Sequence, residues 1–134
     1  MDTRLLLYVG AGGALGSISR YALAYLIQSR STSPFPSATL LINITGSMLL
    51  GLIMRYAADT SAISVEARLL LTTGFCGGYT TFSTFSYETV RLIEDGDYRR
   101  AAAYATLSVV LSLAGIFAGF ALARAALAAR RDMT

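Results

Sequence analysis

Gly74-Phe75-Cys76-Gly77-Gly78-Tyr79-Thr80-Thr81-Phe82-Ser83-Thr84-Phe85-Ser86-Tyr87-Glu88 follows the apolar run Leu69-Leu70-Leu71. It places three glycines and a dense set of hydroxyls where a membrane helix is normally most apolar. Each glycine weakens a helix by roughly 1 kcal/mol relative to alanine. Non-helical backbone at membrane depth is tolerated only where protein or a water-filled path surrounds it. The stretch therefore predicts a helix broken at a functional centre. Its first half should end near residues 74–76 and its second should start near Thr81.

The chain around it is membrane-like. Its 134 residues are 54% hydrophobic and 14% charged, against about 25% charged in soluble domains. It holds no histidine and no lysine, and all 11 basic residues are arginine. Histidine metal sites, histidine general bases and histidine triads are excluded. The single Cys76 excludes an intrachain disulfide and a multi-cysteine metal site, and reads as a small buried hydrophobe. The net charge of +3 is spread along the chain, so no nucleic-acid patch is predicted. Met1-Asp2-Thr3-Arg4 is a poor signal-peptide start, and the long apolar segment after it reads as a retained span.

A membrane helix needs about 20 mostly apolar residues. Four segments qualify, at about 5–27, 38–54, 69–93 (broken near 75–80) and 101–123, within one domain covering 1–134. In the first, Gly12 and Gly16 make a face for close helix packing. Arg20, in its last third, has two readings: it snorkels to the interface, or it attracts anions in a wet vestibule. In the second span Thr39, Asn43 and Ser47 recur at i, i+4 and i+8 on one face. Asn43-Ile44-Thr45 matches a glycosylation pattern, but mid-span, which removes that reading. A buried Asn43 either bridges helices or offers its NH2 to an anion. Residues 55–68 are read as a loop, and Glu94-Asp95-Gly96-Asp97 as a turn. In the fourth span Tyr104, Ser108 and Ser112 repeat the i, i+4, i+8 spacing, and Gly115 and Gly119 form a second close-packing pair.

Four spans put both termini on one side. Arg4, Arg55, Arg68, Arg124, Arg130 and Arg131 fall there; Arg30, Arg91, Arg99 and Arg100, with Arg20 as a possible fifth, fall on the other. That is a feeble orientation bias. A chain without a clear signal can insert both ways, and antiparallel pairing of two copies follows naturally, with a symmetric parallel dimer as the alternative.

The polar groups at bilayer depth are hydroxyls, one amide, ring edges and freed backbone. Phe82 and Phe85 are three apart on one helix face. They read either as core packing or as the lining of an anion path, because an aromatic ring has a positive edge. Donors from Asn43, Tyr104, Ser108 and Ser112 would replace an anion's lost hydration. Carbonyls freed at the break suit a small hard cation such as Na+, particularly where two copies meet on a two-fold axis. Glu88 and Arg20 are the ionisable groups well inside the spans. Glu88 is either functional or pairs with a neighbour such as Arg91.

The motif from Gly74 to Glu88 closely resembles the Fluc family of microbial fluoride channels, also called CrcB proteins. The resemblance covers nearly the whole chain. The glycine-rich first span with its following arginine, the span-two asparagine and the Gly77-Gly78-x-Thr80-Thr81-Phe82-Ser83-Thr84-Phe85-Ser86 run fall in the expected order. It implies an all-α membrane protein of four transmembrane helices, broken in the third, assembled as an antiparallel dual-topology homodimer. It implies two fluoride pores and a structural sodium ion at the dimer interface, held by the carbonyls of Gly77 and Thr80. Phe82 and Phe85 resemble the pore phenylalanines, Asn43 the pore asparagine and Arg20 the vestibule arginine. Tyr104, Ser108 and Ser112 resemble the polar track on the fourth span, and Thr39 a hydroxyl near it. Tyr79 sits at a variable position and takes no role. The implied activity is passive fluoride export across a bacterial inner membrane, limiting fluoride toxicity, with no enzymatic step. Two rivals stand beside it. A small multidrug exporter should carry a carboxylate in its first span, which is missing here. A non-conducting membrane subunit would leave the hydroxyl-rich break without a purpose.

Overall fold

The computed structural model describes residues 2–131. Among them the regular structure is entirely helical. Helix α1 (Thr3–Gln28) starts at Asp2, whose carboxylate accepts from the Arg4 amide at 3.0 Å. This satisfies one of the orphan donors of the first turn. Helix α2 covers Ser37–Asp59. A short α3 (Val65–Leu69) leads into a π-helical stretch, Leu70–Cys76, and then α4 (Gly77–Tyr79). Helix α5 covers Phe82–Glu94 and α6 covers Tyr98–Arg131. The predicted loop over 55–68 is thus much shorter. Helix α2 continues to Asp59, where Arg55 pairs with Asp59 at 2.7 Å across one turn, and helix resumes at Val65 under a Ser64 cap.

The second half of the third unit begins where predicted, with Thr81 as its cap, but the first half runs on past residues 74–76 to Tyr79. Thr80 and Thr81 are extended, with φ/ψ of −80/158° and −151/117°. The glycine run that was expected to end the first half remains helical, widened into π turns, through Tyr79. The reason is packing. Gly12 and Gly16 of α1 lie directly on the backbone of Leu70 and Phe75, and Gly74 and Gly78 lie on the backbone of Val9 and Gly13. A Cβ at Gly74 would stand 2.8 Å from the Val9 carbonyl oxygen. The glycines serve this backbone-to-backbone crossing, whose contacts outweigh their poor helix propensity. The turn is made instead by two β-branched residues that favour extended backbone.

Helices α2 and α6 run parallel, because Gly115 packs on Ile44 and Gly119 on Met48 and Leu52, in increasing order along both. Between α5 and α6 the turn is as expected. Gly96 takes φ +77°, which glycine adopts without penalty, and Asp97 accepts from the Arg100 amide at 3.1 Å to start α6. Both α2 and α6 are long and apolar enough to cross a membrane. Many large apolar side chains on α1 and α6 face outward, among them Ile18, Tyr21, Leu113 and Phe117. The small interior gathers Leu92, Ala101 and Tyr104, with Phe35, Leu40 and Phe85 against them.

Candidate permeation site

The break at Thr80–Thr81 is held by Asn43. Its Nδ2 donates to the Thr81 carbonyl at 3.1 Å, and its Oδ1 accepts from the Thr81 amide at 2.8 Å. One side chain on α2 thereby satisfies both backbone groups of an extended residue that has no ladder of its own. The second proton on Nδ2 remains for another acceptor. Thr81 also caps α5, accepting from the Thr84 amide at 3.2 Å. Tyr79, to which the sequence assigned no role, stacks on Phe75 at 5.7 Å and places its hydroxyl 3.0 Å from that of Thr45.

An open groove of about 450 Å³ runs along this break between α2, α5 and α6. Asn43, Gly77, Thr80, Phe82, Phe85, Ser108 and Ser112 all line it, so residues spread over 70 positions of sequence meet at one surface. One of its hydroxyls differs from the rest, since Thr72 and Thr80 on its wall donate to the carbonyl four residues back, as hydroxyls elsewhere in the helices do. Thr45, Ser86 and Thr89 each donate to the carbonyl four residues back. Ser108 Oγ is buried, with 7% of the residue exposed, and has no hydrogen-bond partner. A buried hydroxyl left without a partner costs about 1–3 kcal/mol, so such groups are uncommon, and a bound water or ion is one way of satisfying them. The carbonyls of Gly77 and Thr80 receive no backbone hydrogen bond across the break. Phe82, 79% exposed, stands at the rim.

Phe85 joins the groove to a second polar cluster. Its ring is 5.5 Å from Phe82 and 5.3 Å from Tyr104. Tyr104, fully buried, donates to Glu88 Oε2 at 2.6 Å, and Thr39 donates to Glu88 Oε1 at 2.9 Å. Glu88 does not pair with Arg91, which bonds Glu94 and Asp95 instead. It also lines a cavity of about 270 Å³ at the α1–α2 connection, with Ser33, Phe35 and Ala38. Hydroxyl spacing signalled Thr39 and Tyr104; that both converge on Glu88 is visible only once three helices meet. Arg20 lies apart from the groove. Its Nε donates to the Gly78 carbonyl at 3.1 Å, beside Ser17 at 3.4 Å. That carbonyl belongs to the last turn before the break, where a cation complements the helix end.

A family model described as CrcB-like protein, Camphor Resistance (CrcB), matches residues 7–120. The chain belongs to the CrcB family. Among its relatives is the fluoride-specific ion channel FluC of Chlorobaculum tepidum, 49% identical over 124 residues, which is 92% of this chain and 98% of that protein. The protein of the same name from Geobacter sulfurreducens is 46% identical over 119 residues, covering 89% of this chain and 96% of the relative. That of Rhizobium meliloti is 45% identical over 120 residues, covering 90% and 96%. With two apolar helices of membrane-crossing length, this CrcB-family chain is a multi-pass membrane protein.

Proposed function

We propose that the chain is a fluoride-selective channel that lets fluoride leave the cell passively and so limits its toxicity. The observation that carries this reading is the unpartnered buried hydroxyl of Ser108 in a groove edged by Phe82 and Phe85. A small, strongly hydrated anion needs a donor at each step to replace lost water, and weak, repeated sites let it leave again. The groove supplies Asn43, Ser108 and Ser112 as donors. The Phe85 ring also touches Tyr104, whose proton, like that of Thr39, is given to Glu88, so this cluster holds the ring at the edge of the path rather than adding donors to it. The relatives' name, fluoride-specific ion channel, supports the same cargo.

The finer architecture is four transmembrane helices, with the third made of the units on either side of Thr80–Thr81, in a bacterial inner membrane. Two copies pair antiparallel. The support is the weak arginine bias and the open face that carries exposed Phe82 and the free carbonyls of Gly77 and Thr80, which a second copy would cover. Carbonyl oxygens suit a hard monovalent cation, and among the described residues no cluster of acidic, cysteine or histidine side chains offers a competing metal site. Gly77 and Thr80 fit a structural Na+, which would supply fixed positive charge at the interface. Arg20 stabilises the helix end behind them.

A multidrug exporter is disfavoured, because the carboxylate within the helices, Glu88, is already engaged by Thr39 and Tyr104. The test is efflux from liposomes read with a fluoride electrode, with chloride measured in parallel. Fast fluoride release without chloride release is expected. Release of neither ion from folded, dimeric protein would leave a non-conducting subunit as the reading.

A further inference from the structure

The far end of the α2–α6 pair carries a second, basic groove that permeation does not use. It measures about 360 Å³ and is lined by Arg55, Asp59, Arg124, Leu127 and Ala128. Helix α2, with 23 residues, is ~35 Å long, and a bilayer's hydrocarbon core is ~30 Å thick. Arg55 and Asp59, in its last turns, therefore stand at the polar boundary of the membrane. Helix α6 runs parallel to α2 and, at 34 residues, is longer, so Arg124 reaches the same level. Phe117 and Leu113, seven and eleven residues before Arg124 and so on the same face of α6, are exposed apolar side chains, so the greasy surface extends up to Arg124.

Charge in the groove is unbalanced. Arg55 Nε is occupied by Asp59 at 2.7 Å, leaving its terminal nitrogens available. Arg124 has no acidic partner among the described residues. Arg130 adds a third guanidinium at this end, donating to the Tyr56 hydroxyl at 3.2 Å. Guanidinium groups match phosphate oxygens in a two-pronged geometry and give up hydration more readily than ammonium groups. We infer that this groove binds the phosphodiester headgroup of an anionic phospholipid, with Arg124 and Arg55 on the phosphate and the acyl chains descending along the apolar surface of α2 and α6. The occupant is a lipid because the groove sits where headgroups lie and opens onto apolar side chains. It is anionic because the one acidic group present is already paired.

The inference is independent of which ion the protein conducts. Full-length protein in mild detergent would be titrated with phosphatidylglycerol, phosphatidylethanolamine or phosphatidylcholine of matched chains, and bound lipid counted by native mass spectrometry. Phosphatidylglycerol should be retained in preference to both others. Arg124→Gln should reduce that preference about fivefold, the scale of one arginine at an anionic surface. Arg99→Gln, an exposed arginine at the opposite end, should leave it unchanged. Arg124 is exposed, so the variant should keep its fold, checked by an unchanged elution volume. Equal retention of the lipids would overturn the inference, as would a preference that survives Arg124→Gln or one that Arg99→Gln reduces equally. Inorganic phosphate raising the unfolding temperature as much as phosphatidylglycerol would also overturn it, by showing a free-anion site.

Discussion

Asn43→Asp replaces one NH2 group by an oxygen and tests the permeation site at its most informative point. The carboxylate would keep the acceptor contact with the Thr81 amide, at 2.8 Å in the native protein. The other arm would turn from a donor into a charged oxygen facing the Thr81 carbonyl, where Nδ2 now donates at 3.1 Å. Losing that hydrogen bond costs about 1 kcal/mol, and up to about 3 kcal/mol if the carbonyl is left unsatisfied. The effect on conduction should be larger. A fluoride ion ~4 Å from the new carboxylate would meet a repulsion of about 4 kcal/mol at an effective dielectric constant of ~20. That corresponds to about a thousandfold loss of occupancy. Liposome efflux at neutral pH should fall to the background of empty vesicles, while size-exclusion elution stays at the native position. Asn43→Ala separates the two effects, since it removes the clamp without adding charge and should retain more flux than Asn43→Asp. Near-native efflux through Asn43→Asp would remove Asn43 from the ion's path and leave it only as the clamp of the break. Equal loss in both variants would place its importance in the clamp rather than in the pathway.

Ser108→Ala should leave thermal stability unchanged or slightly raised, because the hydroxyl it removes has no partner, yet fluoride efflux should drop by about tenfold or more, the value of one hydrogen bond to a charged group; a clear loss of stability would mean that Ser108 is structural. Phe82→Ile and Phe85→Ile should cut fluoride efflux by up to about tenfold, the range of an aromatic edge contact, while the protein elutes as before, and normal flux in both would end their assignment to the pathway. Tyr104→Phe should slow efflux with the fold retained, since Glu88 keeps its bond from Thr39; unaltered rates would take the Glu88 cluster off the route. Gly16→Ala would drive a methyl group into the Phe75 carbonyl and should destabilise the protein by about 1–3 kcal/mol, read as a lower unfolding temperature and a lower yield of monodisperse protein.

Much of the fold is legible in local sequence, because local physics decides it. Apolar length and the near-absence of charge within the segments define long helices, and Glu94-Asp95-Gly96-Asp97 defines a turn through its glycine and its capping carboxylate. The recurrence of Thr39, Asn43 and Ser47, and of Tyr104, Ser108 and Ser112, puts polar groups on single faces whatever those helices pack against. Gly12 with Gly16, and Gly115 with Gly119, announce close helix crossings.

Tertiary structure alone decided what those features do. The glycines at 74, 77 and 78 read locally as a helix break, yet contact of Gly74 and Gly78 with α1 keeps the run helical and displaces the break to Thr80 and Thr81. Propensity near 1 kcal/mol per glycine was outweighed by contacts from a helix some sixty residues earlier in the chain. Asn43 became a clamp because Thr81, 38 positions away, needed both a donor and an acceptor. Glu88 turned to Thr39 and Tyr104 rather than to nearby Arg91, since those hydroxyls come from α2 and α6 and meet it only when three helices pack. Periodicity assigns each side chain to a face of its own helix; which face meets which is set by long-range packing, and the groove exists only there.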